Sequence, residues 1–259
     1  MGRRRRSRAR PADVSRRCGR KGCARAVRVF HAGGVAVDWT ALWLSVRLAA
    51  ATSLVLLAIG VPIAYWIVYS PRRWKVLVEA IVALPLVLPP TVLGFYVLIA
   101  IGPLSPVGRG YARLAGHGLP FTFEGLLVAS VLYSLPFAVQ PFSAEFASVD
   151  RRLLEASWSL GVSRLATFRR LVVPLSTRGL ITGIVLSFAH TLGEFGVVLM
   201  VGGNLPGVTR TVSISIYDAV QSLDYRAASR TSLLLLVLSF VILTITYSLH
   251  RRVWIATER

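Results

Sequence analysis

His190 and Glu194 are ionisable residues inside an otherwise apolar run at residues 187–196. A spacing of four places both side chains on one face of a helix, where they could pair. A carboxylate within a membrane span is costly, so it is expected to face the protein interior and to be functional. One interpretation is a proton relay or a metal site, although one His and one Glu offer few ligands. The other is a hydrogen-bonded pair that fixes helix packing, beside Gly193 and Gly196, which permit close helix approach.

Long apolar runs are the elements that must hold these two residues. Five stretches approach the roughly 20 apolar residues that a transmembrane helix needs. We predict spans at residues 48–69, 80–101, 125–144, 179–201 and 231–249. The sequence therefore predicts an all-α membrane protein with about five transmembrane helices. No internal repeat is visible, which disfavours a transporter with inverted repeats in one chain.

The second apolar run contains Pro85, Pro89 and Pro90, three prolines within six residues. Each proline removes a backbone donor and clashes with the preceding turn, so an unbroken helix is excluded here. A broken helix survives inside a membrane only beside protein or a water-filled cavity. We therefore place this bend beside the substrate path, with a simple packing kink as the alternative.

Residues 150–174 form the most polar stretch between the long apolar runs. They keep an apolar stripe at helical spacing. The stripe consists of Leu154, Trp158, Leu165, Phe168 and Leu171. Gly161 is expected to end a first short helix, Ser163 to cap a second, and Pro174 to stop the pattern. This predicts a helix–turn–helix that offers an apolar knob and a basic rim to a soluble partner.

The same stretch resembles the EAA loop of ABC importer permeases. The matching residues are Glu155, Ala156 and Ser157, then Gly161, then Leu171, Val172, Val173 and Pro174. The match departs from the usual pattern at Ser157, Leu171 and Val173, which keep the size or polarity class. In that family the loop is the coupling helix, which docks into a cleft of a cytoplasmic ATPase. The resemblance thus implies ATPase coupling by Glu155, Ala156, Ser157, Gly161, Leu165, Phe168 and Pro174.

The run Leu-Gly-Glu-Phe-Gly at residues 192–196 resembles the oxyanion branch of these permeases. Two further stretches, at residues 84–90 and 204–211, are most similar to the molybdate permeases. The resemblance covers residues 37–252 and implies the type I ABC importer permease fold. From the proline bend and the intramembrane ionisable residues, we predict a translocation path or gate at Pro85, Pro89, Pro90, His190, Gly193 and Glu194. Molybdate is the expected substrate, with tungstate or sulfate/thiosulfate as alternatives, because a separate binding protein does most of the selecting.

The same resemblance implies the partners. The chain would form a homodimer with two copies of an ABC ATPase subunit, which bind ATP and Mg, and would receive substrate from an extracytoplasmic oxyanion-binding protein. The chain itself would be the transport subunit, without catalytic residues, metal or cofactor. Arg109 and Arg210 are candidates for docking the binding protein, since positive charge would attract an acidic partner or a dianion. A solvated loop arginine is the alternative for each.

The formal net charge of +19 is unevenly distributed. Residues 1–36 hold twelve basic side chains against one acid, Asp13. We expect a basic extension that is disordered or not translated, followed by a permease domain at residues 37–259. If residues 150–174 are cytoplasmic, the segments between spans on that side of the membrane, together with the C-terminus, carry twelve Lys and Arg. The segments on the opposite side, which we call the far face, carry five after the first span. This asymmetry predicts a multi-pass protein of the inner or plasma membrane with a cytoplasmic C-terminus.

Other classes of protein fit less well. The sequence shows no Gly-rich phosphate loop, GxSxG, HExxH or paired-carboxylate motif, so an enzyme is disfavoured. Cys18 and Cys23 lack nearby partners for a metal site. An ion-coupled secondary transporter would need more intramembrane acids than Glu194 alone. A membrane-anchored nucleic-acid-binding protein would rest wholly on residues 1–36, so we expect membrane lipid and no nucleic acid as a partner.

Overall fold

The structure is a computed structural model that describes the backbone of residues 38–257 and the side chains of residues 38–244. Every regular element in that range is a helix, which confirms the all-α class. The helices are α1 (Trp39–Tyr69), α2 (Lys75–Val87), α3 (Pro90–Ile101), α4 (Pro106–Ala115), α5 (Phe123–Ser148), α6 (Arg151–Ser159), α7 (Arg164–Thr167), a π-helical segment (Phe168–Val172), α8 (Val173–Leu175), α9 (Thr177–Gly193), α10 (Gly196–Gly202), α11 (Val212–Gln221) and α12 (Tyr225–Thr257). The extension expected at residues 1–36 lies outside the described residues.

Helices α1, α5 and α9 pack against one another and form the centre of the protein. By length and composition, α1, α5 and the first part of α12 (Tyr225–Thr244) could each cross a membrane. Two bent helix pairs also qualify, α2 with α3 and the segment Arg164–Leu175 with α9. The described helices therefore provide three spans, or up to five if each bent pair counts as one.

Small residues on α9 allow it to lie close against α5. Gly179, Gly183 and Ser187 are buried at intervals of four, a spacing that lets the backbones of membrane helices approach. A Cβ built on Gly183 would lie 2.5 Å from the ring of Phe142, and one built on Gly60 of α1 would lie 3.2 Å from the same ring. The fully buried Phe142 is thus held between the two neighbouring helices.

The bend expected from the three prolines is present. The axes of α2 and α3 differ by 117° across the break between Val87 and Pro90. Pro85 lies within α2 and is buried, whereas Pro89 has an extended backbone and Pro90 opens α3. A proline at the first helical position loses nothing, because the N–H of that residue has no partner within the helix.

Residues 179–201, expected as one span, form two helices instead. Helix α9 ends at Gly193, the backbone of Glu194 is extended with ψ 135°, and α10 begins at Gly196. A Cβ on Gly196 would lie 2.7 Å from Cβ of Pro90. The break in this span therefore lies directly against the break between α2 and α3, and α10 packs along α3 beyond it.

Candidate functional site

His190 and Glu194 do not pair, so that interpretation of their spacing is wrong. The helix ends between them, and the extended backbone of Glu194 destroys the register that an i, i+4 pair requires. His190 is bonded elsewhere: its Nδ1 lies 3.0 Å from Oγ of Ser134 on α5. That hydroxyl in turn lies 2.9 Å from Oγ1 of Thr191.

The imidazole of His190 is held in plane by aromatic rings of α5. Its ring centroid lies 3.9 Å from that of Phe137 in a stacked arrangement, and 4.8 Å from that of Tyr133. The side chain is only partly buried, and Nε2 makes no hydrogen bond within residues 38–244. Gly193, one turn further along, is exposed, and a Cβ there would meet nothing within 4 Å. The close helix approach expected at Gly193 is therefore absent, whereas Gly196 has it.

Glu194 lies on the inner side of the break. It is 4% exposed, and neither carboxylate oxygen has a hydrogen-bond partner among the described residues. The Ser130 hydroxyl is near this carboxylate and is likewise buried without a hydrogen-bond partner among the described residues. A buried carboxylate without a partner is expensive, so its presence needs a reason other than packing. In the part of the chain that the structure describes, no three His, Cys, Asp or Glu residues gather where they could hold a metal ion.

One side of α5 carries both polar and apolar side chains between the break and the end of the helix at Ser148. Tyr133, Phe137, Gln140 and Ala144 follow one another at helical spacing, and the last two are exposed. Gln140 and Ala144 also line a cavity of about 510 Å³ that opens between α1, α2 and α5. Its polar lining consists of Lys75, Glu79, Gln140 and Ser143.

Helices α6 and α7 form the expected helix–turn–helix. Gly161 adopts φ +79°, a left-handed conformation that favours glycine, at the end of α6. The Ser163 hydroxyl caps α7 by accepting from the backbone N–H of Ala166 at 3.3 Å. Hydroxyls of Ser157 and Thr167 lie 2.9 Å apart and join the two helices. The departure from the usual alanine at residue 157 thus provides a hydrogen bond across the hairpin.

Pro174 does not stop the helical path, contrary to expectation. It lies in the short helix α8, directly after the π-helical segment, and the axis turns by 72° only at Ser176. The proline cannot donate to the carbonyl four residues earlier, and a π-helical turn is a common way for a helix to tolerate such a local irregularity. Pro174 therefore lies in an irregular helix that ends one residue later, at Leu175.

The predicted apolar stripe divides between two surfaces. Leu154 is buried, and the Phe168 ring contacts Tyr65 and Phe146 of the core, with centroids 4.7 Å and 5.9 Å away. The outer surface is formed by Leu153, Trp158, Leu160 and Leu165. Leu160 is 83% exposed and escaped prediction, because it follows the last turn of α6 and lies off the helical stripe.

Charged residues surround this outer surface as expected. Exposed arginines at its rim are Arg151, Arg152, Arg164, Arg169 and Arg170. The Glu155 carboxylate accepts from Nε of Arg151 at 3.2 Å. The hairpin thus presents an apolar surface with a basic rim, and Glu155 and Ala156 are exposed within it.

The two candidate arginines for docking differ in environment. Arg109 on α4 is exposed. Arg210 donates from Nε to the Asn204 side chain at 2.6 Å and forms an ion pair with Asp218 at 3.3 Å. Arg210 therefore holds its own loop against α11, which leaves less of its charge for a partner.

Residues 57–255 match the family model described as a binding-protein-dependent transport system inner membrane component. The same fold occurs in a chain of a bacterial alginate ABC transporter, which was solved in complex with an alginate pentasaccharide-bound periplasmic protein. The TM-score is 0.68 and the identity is 17%, and the match covers 90% of this chain and 83% of the other. A chain of the inward-facing MetNI methionine ABC transporter also has this fold, with a TM-score of 0.63 and 15% identity. That match covers 84% of this chain and 96% of the other.

These matches define the class: the chain is an all-α membrane permease with the type I ABC importer fold, and it belongs to the family of binding-protein-dependent transport system inner membrane components. Within that family it belongs with the molybdenum transport permeases. It is 48% identical to the molybdenum transport system permease protein ModB of Azotobacter vinelandii over 83% of this chain and 95% of the relative. It is 31% identical to ModB of Escherichia coli K12 over 83% of this chain and 94% of that relative.

Proposed function

We propose that this chain is the membrane-spanning subunit of an ATP-driven importer for molybdate. The observation that carries this proposal is the 48% identity to a molybdenum transport permease over nearly the whole of that relative. An exposed apolar hairpin with a basic rim, on a membrane permease, suits docking to a soluble subunit. Tungstate and sulfate are the other anions to be tested.

The proposed assembly contains a second copy of this chain, two ATPase subunits and an extracytoplasmic oxyanion-binding protein. ATP and Mg would be bound by the ATPase subunits. The hairpin at residues 150–174 would face the cytoplasm together with the C-terminus, in keeping with the excess of Lys and Arg on that side. On the opposite face, the exposed Arg109 is the better placed of the two arginines for docking a binding protein, and Arg210 would act by shaping its loop.

The hairpin is built to transmit displacement. Ser157 and Thr167 join its two helices, so it can move as one body. Phe168 anchors it between Tyr65 of α1 and Phe146 of α5. From the hairpin, the chain continues through the 72° turn into α9, which ends beside Glu194. When the ATPase subunits close on ATP, the two hairpins of the dimer would be pulled together, and α9 would carry that movement to the bends at Pro89, Pro90 and Glu194.

Proteoliposomes with the ATPase and the binding protein test this function. Glu155→Arg and Gly161→Leu are expected to abolish ATP-driven molybdate uptake while the dimer still inserts. Gly116→Leu is the matched control, because Gly116 also has a positive φ, +77°, and open space around it, but lies at the end of α4. It should have a similar conformational cost and still permit uptake.

Two results would contradict the proposal. Uptake that survives both hairpin variants, or that follows a proton gradient without any ATPase, would favour an ion-coupled transporter centred on Glu194. Uptake of sulfate in preference to molybdate would keep the class and replace the substrate. Tungstate is measured in the same series, since its tetrahedral shape and charge match those of molybdate.

A further inference from the structure

A strip with polar and apolar members runs along a partly exposed side of α5 and α9. Its members are Tyr133, Phe137 and Gln140 of α5 and His190 and Gly193 of α9. If lipid covered this strip, the Gln140 amide and the His190 imidazole would lack hydrogen-bond partners in hydrocarbon, which is unfavourable by several kcal/mol per group. The exposed side chains of α12, by contrast, include Leu233, Leu236, Val237, Phe240 and Val241 and suit lipid. The strip therefore borders water or a second protein surface.

His190 is oriented within this strip by a defined chain of hydroxyls. The distances fit either direction of donation along this chain, and we take the one in which Thr191 donates to Ser134 and Ser134 donates to Nδ1 of His190. The neutral imidazole then carries its proton on Nε2, the nitrogen without a partner among the described residues. Stacking on Phe137 prevents the ring from turning away. The result is a fixed N–H donor on the exposed side of the strip.

Space and charge beside this donor suit an anion. The exposed Gly193, with nothing within 4 Å of its Cβ position, leaves room one turn from His190. No member of the strip is acidic, and the nearby Glu194 is turned inward with both oxygens buried. His190 is thirteen residues after Thr177, about 20 Å along α9, which places it near mid-membrane if α9 starts at one surface.

The geometry points to His190 as a residue that contacts the substrate inside the membrane. Its Nε2–H donates a hydrogen bond to a tetrahedral oxyanion that passes through the space beside Gly193, along the strip formed with Tyr133, Phe137 and Gln140. Ser134 is a positioning residue, because it acts on the anion only through the imidazole. This inference rests on the proposed function and adds to it a contact within the permease itself.

Transport by the complete importer tests the contact. His190→Leu should lower molybdate uptake at least about tenfold, the factor expected for losing one hydrogen bond to a charged group. ATP hydrolysis stimulated by the molybdate-loaded binding protein should persist. His190→Gln, whose amide can still donate, should restore uptake to within about threefold of wild type.

Two serine variants separate orientation from general packing. Ser134→Ala should lower uptake because the imidazole is no longer held. Ser187→Ala is the control, since Ser187 is also buried but donates to Gly183 in its own helix, so its loss leaves His190 untouched.

A labelling experiment tests the contact without transport. Diethyl pyrocarbonate modifies accessible imidazole nitrogens, and mass spectrometry locates the product. His190 should react in the purified complex, as should the exposed His117, and millimolar molybdate should slow the reaction at His190 and not at His117.

Several results would overturn the inference. They are uptake within threefold of wild type in His190→Leu, loss of uptake that Gln does not restore, or absence of labelling at His190 while His117 reacts. A wild-type complex that takes up no molybdate would instead refute the proposed function.

Discussion

Gly183 is the position where one added carbon tests the central helix packing most directly. A Cβ there would lie 2.5 Å from Cε1 and 2.9 Å from Cδ1 of Phe142, and 3.0 Å from the backbone oxygen of Ala138. Carbon atoms in contact are normally about 3.5–4.0 Å apart, so α9 would have to move away from α5 by roughly 1 Å. Phe142 cannot yield, because it is fully buried and its ring also lies against Gly60.

Two opposing effects determine the stability of Gly183→Ala. Alanine is about 1 kcal/mol more favourable than glycine within a helix, whereas overpacking a close-packed interior costs about 1–3 kcal/mol. We therefore expect a net loss of about 1 kcal/mol. Gly110→Ala on α4 makes the same change with nothing within 4 Å, so only the gain should remain. The two variants should differ by about 2 kcal/mol.

Thermal unfolding of the purified protein in detergent measures this difference. For a domain of this size, 1 kcal/mol corresponds to about 2–4 °C in Tm, so Gly183→Ala should melt below wild type and Gly110→Ala at or above it. If Gly183→Ala melts at as high a temperature as Gly110→Ala, the distance between α5 and α9 at Gly183 must be larger than these contacts indicate. The placement of Ser134 against His190 would then also fail.

Further predictions concern the hairpin, the buried acid and the far-face loop. A double-mutant cycle with Ser157→Ala and Thr167→Val should give a coupling of about 0.5–1.5 kcal/mol in unfolding free energy, and additive effects would rule out their hydrogen bond. Glu194→Gln should keep or raise Tm and lower uptake, since it replaces a buried carboxyl group that has no hydrogen-bond partner among the described residues by a neutral group of the same shape; a lower Tm would indicate a favourable interaction of that carboxyl group. Arg210→Ala should speed backbone amide exchange in its loop, because an ion pair and a hydrogen bond are lost, whereas Arg109→Ala should leave that exchange unchanged. Equal exchange in both variants would contradict the loop-holding role of Arg210.

Features set by local chemistry were predictable from the sequence. The break at Pro89 and Pro90 follows from the missing N–H and the fixed ring of proline, whatever surrounds it. The turn at Gly161 and the cap at Ser163 likewise depend on a few neighbouring residues. The hairpin and the bend of the second apolar run were therefore foreseen at the correct residues.

Features set by distant residues were not predictable in the same way. The partner of His190 is Ser134, on a different helix, and no spacing in the sequence indicates it. The break after Gly193 coincides with the contact between Gly196 and Pro90, which belongs to another span. The inward position of Leu154 is likewise set by the core beneath the hairpin. In each case a helical pattern in the sequence did not indicate the residue of another segment that lies against it.

The contact between Gly196 and Pro90 also has a consequence for the assembly of the chain during synthesis. Helix α3 leaves the ribosome roughly a hundred residues before α10, against which it packs. Until α10 arrives, the bend before α3 lacks the protein surface that a broken backbone needs in hydrocarbon. The second span must therefore wait at the insertion machinery, or at the membrane surface, and reach its final bent form only after the fourth span has entered. The break that is synthesised first is therefore completed no earlier than the one synthesised later.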